Sequence, residues 1–596
     1  MLRVRSRVRA SVLRHAPLKN LATAVLKLIG VAPLVFRRRG ARATIARVWR
    51  VRESGFWSLF HWAHEVIAYE QRNDPERYER WKRSQARTQS RSTHHSVDVV
   101  VPVPRWEDAA KQSIASIRRQ THENWRLWLV SSEAFDDELL ADDRIGWASG
   151  GGTLHHMIAV GAGAGVASHI LLLHHACILG STGIADLLCT ATATSADVVY
   201  ADEDDLVTGA ARLPYLKPGF SIDLLRAEDY VGPVFLVRRS FLQRVLCEGD
   251  SSWVSPFDLL LRAYEYGARV ERVPSVVVHW QCSRDRRHGC ENTRLVHEHL
   301  VRLYGRNLAE MLADTESSRP PDRLEGLSSI IIPTRDRTDL LSNCLDGIYR
   351  HPQQTEFEVV ILNNGSREKT SLEWLANAAS EYPNLSVVEA DYAFSWSRLN
   401  NHAVAYSRGD VLVFLNNDTE VLSPRWLDRL VMQSRRSDVG TVGALLLYPD
   451  GTIQHAGVVI GIGRFADHVY ARCPAREGDR HAFVSPLLPR NVLASTGACL
   501  AMRRQVFEQL GPFDERLAIC ADIEMCLRAH RRGLLNVYDS RVIMYHHEYA
   551  TRRKATLGEN ELAQARPFLE EFIVRGDPFY NPNLSLQLRY PTLGTV

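Results

Sequence analysis

Asp418, Asp522 and His546 stand at the margins of apolar runs in the second half of the chain, and their side-chain types suit one combined task. Asp418 closes "VLVFLNND". A carboxylate at the tip of a buried strand suits Mg2+ or Mn2+, which proteins hold through one or two carboxylates while substrate phosphate oxygens complete the shell. Asp522 opens the helical pattern "ADIEMCLRAHRRG", with Glu524 in the same turn; a carboxylate there acts as a general base or simply caps the helix. His546 and His547 end "VIMYHH", where a neutral imidazole completes a metal shell or, at a sheet edge, needs no metal at all. Two further runs end on polar groups. "SIIIPTRDR" supplies Pro333, Thr334, Arg335 and Asp336, and "EVVILNNGS" supplies Asn363, Asn364 and Ser366. With Asn416 and Asn417 these are groups able to meet a phosphate, a ribose or the edge of a base.

Ligands of open α/β sheets collect beyond the carboxyl ends of the strands. The elements needed to position these residues are therefore short strands alternating with helices, and the chain shows that alternation twice. "VDVVVPV", "RLWLVSS", "ILLLHHA" and "ADVVYADE" alternate with helical patterns such as "WEDAAKQSIASIRRQ". After the turn-forming stretch 312–326 the pattern restarts with "SSIIIPT", "EFEVVILNN", "LSVVEA" and "DVLVFLNN". Both copies predict a mainly parallel sheet with helices on both faces. The division expected is a basic, aromatic-rich helical extension and linker over 1–95, a first α/β domain over 96–315, a second over 326–575 and a tail over 576–596. The first copy has lost the chemistry: Ser131-Ser132 stands against Asn363, and His174-His175-Ala176 against Asn416-Asn417-Asp418. His279 is taken as the counterpart of His546, and Asp258 as a retained base position. The acidic run Asp202–Asp205 reads as a solvated turn. The glycines of "GAGAGVAS" precede a strand instead of following one, which excludes a dinucleotide cradle and predicts a helix packed closely on the sheet.

Composition narrows the class further. Ten cysteines without a C-x-x-C pair fit reduced thiols better than a disulfide framework. Residues 1–52 hold 14 Lys/Arg and no acid, whereas the whole chain carries a net +4, so a basic arm precedes an acidic body. The apolar run Leu21–Phe36 is shorter than the ~20 residues that span a bilayer. Trp49, Phe56, Trp57, Phe60 and Trp62 beside Arg47, Arg50 and Arg52 suit a helix lying on an anionic membrane surface, or one packed on the body. Contact with a membrane surface is expected through residues 1–65. No nucleic-acid reader motif accompanies the basic residues, and nucleic acid is not expected as a partner.

The second copy resembles the family 2 inverting glycosyltransferases of GT-A fold, in particular the long two-domain bacterial type linked to O-antigen and other surface polysaccharides. The segments "SIIIPTRDR", "VVILNNGS", "LVFLNNDTEVLSPRWLDRL", "STGACLAMRR", "GPFDERLA", "DIEMCLRA", "YHHEYATR" and "DPFYNPNLS" carry the likeness in order across 328–585. The first copy resembles the amino-terminal domain of the same proteins at "ASIRRQTHENW", "DVVYADEDDL" and "YLKPGFSIDLL". The resemblance implies two tandem GT-A-like domains, the first degenerate. It implies a nucleotide-diphospho-sugar donor, a glycan or lipid-linked glycan acceptor, Mg2+ or Mn2+ as cofactor, and a cytoplasmic place on the inner face of the plasma membrane. By position it puts the metal on Asp418 and His546 and the catalytic base on Asp522. The donor falls to Pro333, Thr334, Arg335, Asp336, Asn363, Asn416 and Asn417. Asn363 departs from the acidic residue usual at its place, and Ala521 stands where a second acid is common. These departures keep open a non-catalytic, glycan-binding scaffold. A nucleotidyltransferase would need a glycine-rich phosphate loop near the domain start, and "IIIPTRDR" has none.

Overall fold

The computed structural model describes residues 75–85, 94–133, 141–206, 214–248, 255–282, 289–313, 325–382, 384–475, 482–517, 519–547 and 559–594. The basic arm, its aromatic run and most of the 312–326 stretch lie outside the described residues. Two mixed sheets organise the rest. The first contains β1 (Val97–Pro102), β2 (Trp125–Ser131), β3 (Ile145–Ser149), β4 (His169–Leu172), β5 (Cys177–Leu179), β6 (Val198–Asp205), β7 (Pro214–Tyr215), β8 (Phe235–Arg238) and β9 (Val270–Trp280). In the second sheet are β10 (Leu327–Thr334), β11 (Glu356–Asn363), β12 (Leu385–Glu389), β13 (Val411–Leu415), β14 (Thr419–Val421), β15 (Val439–Leu447) and β16 (Ile453–His455). A separate hairpin of β17 (Val458–Ile460) and β18 (Ala466–His468) follows, and β19 (Arg490–Val492), β20 (Cys499–Arg503) and β21 (Leu535–His546) return to the second sheet.

The two sheets share one topology. The first runs β3-β2-β1-β4-β8-β6-β9-β5 and the second β12-β11-β10-β13-β20-β15-β21-β14, the same order strand for strand. β1, β2, β3 and β4 are parallel, as are β10, β11, β12 and β13. β8 and β20 then enter antiparallel to both neighbours, which makes the sheets mixed where the apolar runs predicted mainly parallel. Strand direction is invisible to apolar periodicity when both faces are covered. Helices flank the strands, and Leu154–Ala164 packs tightly: a Cβ on its Gly161 would lie 2.6 Å from Val100. The glycine cluster thus serves close helix-on-sheet packing.

The two units are fused through a common core. Tyr200, Tyr230, Phe235 and Leu260 of the first unit pack in one apolar cluster with Ile453, Tyr470 and Tyr538 of the second and Tyr580 and Tyr590 of the tail. Across this seam Arg436, 1% exposed, grips Asp223 with both ends of its guanidinium and also reaches Asp438 at 3.0 Å. Asn491 donates to Asp223 at 2.6 Å and accepts from Asp223 N–H. The tail then stitches both units: Asn581 donates to Asp202 of β6 at 2.9 Å, while Asp577 accepts from Ile460 of β17 at 3.1 Å.

Asp202, Glu203 and Asp204 are buried in β6, not a solvated turn. Each survives burial because it is partnered. Asp202 takes Lys217 N–H and Asn581, Glu203 meets Lys217 Nζ at 2.8 Å, and Asp204 takes His279, the Tyr78 hydroxyl at 2.7 Å and Lys82 at 3.1 Å.

Candidate functional site

The carboxyl ends of β10, β11, β13 and β21 bring the marked residues to one rim. Asn417 donates to Thr334 Oγ1 at 3.0 Å, which ties the end of β13 to the end of β10. Asp418 is buried and meets His546 Nε2 at 3.3 Å, because β14 pairs with β21 so that Thr419 faces His546. Burial raises the Asp418 carboxyl, but the His546 hydrogen bond and the nearby imidazole charges outweigh it and hold the group below its ordinary value. His547 donates its backbone N–H to the Asp418 carbonyl at 2.9 Å, and its ring lies 3.7 Å from Glu420.

This donor set fits a divalent ion. A carboxylate and an imidazole converge at two strand ends, and His546 Nδ1 is buried without a hydrogen-bond partner among the described residues. No group of three or more His, Cys, Asp or Glu among the described residues makes a complete cage. The remaining positions would fall to substrate oxygens and water, the usual manner of Mg2+ and Mn2+.

Asp522 lies in the first turn of the helix Ala521–Arg531, whose N-cap is Cys520 in the left-handed region at φ 63°. It is therefore not the cap. One carboxylate oxygen takes Ile523 N–H at 2.9 Å; the other takes Gly497 N–H at 2.6 Å. Burial nevertheless raises this carboxyl above its usual range, against those two bonds and the charge of His468. Gly497 has no room for a side chain: an added Cβ would lie 2.5 Å from the Trp396 ring and 3.2 Å from Asp522 Cβ. Trp396 donates to Asn416 Oδ1 at 3.3 Å, and Asn416 N–H bonds the Ala498 carbonyl at 3.0 Å. A short chain of contacts thus links the base candidate to the strand end that carries Asp418.

The donor-side residues divide. Arg335 is exposed at the end of β10 and bonds no described residue, so its guanidinium is available to a ligand. Pro333 lies within β10, opposite Leu362. Asp336 is spent on the fold, accepting Arg367 and Glu368 N–H at 2.9 and 3.1 Å from a backbone at φ 49°. Asn363 is also committed: its amide donates to Glu389 at 2.9 Å and its oxygen accepts Ser366 N–H at 3.1 Å. Its partner Glu389 is exposed and brings to this corner an acid that the sequence left unmarked. Asn364 donates to two carbonyls, and its buried oxygen bonds no described residue.

The register revises two pairings between the units. Cys177, the counterpart of Thr419, faces Trp280, so Trp280 occupies the place of His546 and His279 that of Tyr545. Asp258 bonds Arg262 at 3.0 Å, as Glu524 bonds Arg528 at 2.9 Å, and Gly267 and Gly533 both follow at positive φ. Asp258 is therefore the counterpart of Glu524, and Pro256 stands where Asp522 would be. Ala176 holds the place of Asp418.

Comparison with known proteins follows the same division. The model of glycosyl transferase family 2 matches residues 329–511. The chain is 37% identical over 410 residues to the O-antigen biosynthesis protein RfbC of Myxococcus xanthus, covering 65% of this chain and 31% of that protein. It is 32% identical over 534 residues to the protein y4gI of Sinorhizobium fredii, covering 82% of this chain and 58% of that one. An N-acetylglucosaminyl-diphospho-decaprenol L-rhamnosyltransferase of Mycobacterium tuberculosis is 25% identical over 227 residues, covering 33% of this chain and 68% of the enzyme. The chain thus spans less than two thirds of the length of its first two relatives. Residues 329–511, with the strand ends that carry Thr334, Asn363 and Asp418, are a glycosyl transferase family 2 domain.

Proposed function

We propose that the chain moves a sugar, with inversion, from a nucleotide-diphospho-sugar to a hydroxyl of a lipid-linked or growing cell-surface glycan. The observation that carries this reading is Asp522: a carboxylate with a raised pKa, fixed by Gly497 and joined through Trp396 and Asn416 to the Asp418–His546 pair. A general base works best when its pKa lies near the operating pH. Asp522 takes the proton of the acceptor hydroxyl as that oxygen bonds the anomeric carbon. The bond from that carbon to the diphosphate breaks, and its electron pair leaves with the nucleoside diphosphate. Asp418 and His546 would hold Mg2+ or Mn2+, whose contribution when bound is to offset the charge of the leaving diphosphate. Arg335 adds a second positive group on the same side, and Glu389 with the Asn364 oxygen would meet the ribose or base.

The names of the relatives support a surface-glycan acceptor. We take the first unit as a degenerate partner, since Ala176, Trp280 and Pro256 replace all three chemical groups. Attachment to the inner face of the membrane through residues 1–65 rests on their sequence pattern; among the described residues no helix is long and apolar enough to cross a membrane.

Thermal unfolding with UDP, dTDP, GDP and CMP, each with and without Mn2+, tests the reading. One nucleotide at a hundredfold excess over its Kd adds about 2.7 kcal/mol. The expected result is Mn2+-dependent stabilisation by one nucleotide, lost in Asp418→Ala. Absence of any nucleotide effect would turn the reading toward a glycan-binding scaffold.

A further inference from the structure

One indole stands between the Gly497–Asp522 bond and the end of β13. Trp396 opens the helix Trp396–Val404, which lies between β12 and β13 and whose N-cap Ser395 accepts the Arg398 N–H. The indole N–H donates to Asn416 Oδ1 at 3.3 Å. Its far edge closes on Gly497 so tightly that an added Cβ there would lie 2.5 Å from Trp396 Cζ2 and 2.8 Å from Cη2. Gly497 is the residue whose N–H holds Asp522 at 2.6 Å. A single side chain therefore touches both the segment that directs the carboxylate and the strand end that leads into Asp418.

The ring is itself fixed from several sides. Phe513 meets it edge-on, with centroids 4.8 Å apart. Asn401 clamps the backbone of Phe513, donating to its carbonyl and accepting its N–H, both at 2.9 Å. The wholly buried Asn400 donates to the Trp396 carbonyl at 2.8 Å. The paired asparagines of "LNN" thus hold the indole and the loop that backs it. An aromatic side chain with two torsions, enclosed in this way, keeps a fixed length.

The first unit shows the contrast. Between β3 and β4 its helix Leu154–Ala164 begins in the same manner, with N-cap Thr153 accepting the His156 N–H. Leu154 therefore stands at the place of Trp396, and it is 37% exposed. An aliphatic side chain takes the place of the indole in the unit where Ala176 replaces Asp418 and Pro256 replaces Asp522.

We propose that Trp396 is a positioning residue for sugar transfer, a rigid spacer that sets the separation between Asp522 and the β13 end that leads into Asp418. The proposal rests on Asp522 being the base. The acceptor oxygen must meet the base while the diphosphate departs on the Asp418 side, so that separation bears directly on the rate. A misplacement of about 1 Å costs about a hundredfold.

The test uses the full chain with Trp396→Phe, Gly497→Ala and the two combined. Phenylalanine lacks the N–H and stops short of the Cζ2–Cη2 edge, so it vacates the space that a methyl on Gly497 needs. Nucleoside diphosphate release is followed with UDP-, dTDP- and GDP-sugars, alongside Mn2+-dependent stabilisation by the free nucleotide. In Trp396→Phe the expected result is kcat lower by about tenfold, with KM for donor and nucleotide stabilisation unchanged. The double variant should regain at least about tenfold of the kcat that Gly497→Ala loses, because the two side chains compete for one space. Wild-type kcat in Trp396→Phe, or losses that simply multiply in the double variant, would overturn the spacer and leave the transferase reading in place. Wild-type protein that neither binds nor turns over any donor would overturn the transferase reading, and this proposal with it.

Discussion

Asp522 gains its properties from being crowded instead of neutralised. Among the described residues no Lys or Arg pairs with it; two backbone N–H groups fix its direction, and burial raises its pKa. Asp522→Asn should therefore lower kcat by at least about a hundredfold while nucleotide stabilisation persists, because a positioned general base contributes that much to the transition state alone. The acid limb of the wild-type kcat/KM profile should lie above the ordinary carboxylate range. Gly497 is the second sensitive point. In Gly497→Ala the new methyl meets an indole on one side and Asp522 on the other, neither the free end of a flexible chain. Steady-state kinetics should show a kcat loss close to that of Asp522→Asn, and the melting temperature should fall below that of wild type because the packed indole must shift. The surrounding glycines gave no hint of this, since a glycine wedged between two side chains reads in sequence like any loop glycine.

At the level of strands and helices, one feature was legible and another was not. Apolar runs ending in Thr334, Asn363 and Asp418 marked the carboxyl rim, because a buried strand has few reasons to end on such groups. His455, His468 and Glu389 went unmarked because each stands singly at the end of a short strand and gains meaning only from its neighbour across the fold. Pairings between the two units failed where a shift of one or two residues decides the face, as with His279 and Asp258. The acidic run in β6 failed for another cause: beyond the nearby Lys217, its partners Tyr78, Lys82 and Asn581 come from far away in the chain. Burial raises the Asp204 carboxyl, but the His279 bond and charge, Lys82 and the Tyr78 hydroxyl win and bring it down to about 2. A carboxyl depressed by folding stabilises above its unfolded pKa of 3.8, and the gain fades as pH falls through about 2. Asp204→Asn should melt lower than wild type at pH 5, and the gap should narrow steadily between pH 4 and pH 2.

Across the whole molecule, the seam between the two units is both apolar and charged, so the two should behave as one body. Arg436 and Asp223 are buried together, and Asp223 is held below its usual range by Arg436 and Arg226 in spite of burial. Removing one partner of such a pair leaves an uncompensated charge, so Arg436→Ala should cost about 3–5 kcal/mol in denaturant unfolding. Both units should lose stability together, with a single transition read by circular dichroism and by tryptophan fluorescence. Two separate transitions would show that the seam does not couple them.

The Asn581–Asp202 bond has a consequence for how the protein is made. Its partners are 379 positions apart, so the first unit leaves the ribosome long before the residue that completes its β6 strand exists. Chains fold in domains as they emerge, at about 5–20 residues per second. For tens of seconds, then, the nascent first unit holds an acidic strand without its final partners, and it is in that interval that a chaperone has most to do. Any stop codon ahead of Asn581 would leave that condition permanent. Quality control, not loss of the catalytic rim, is then what such a truncated chain should meet first.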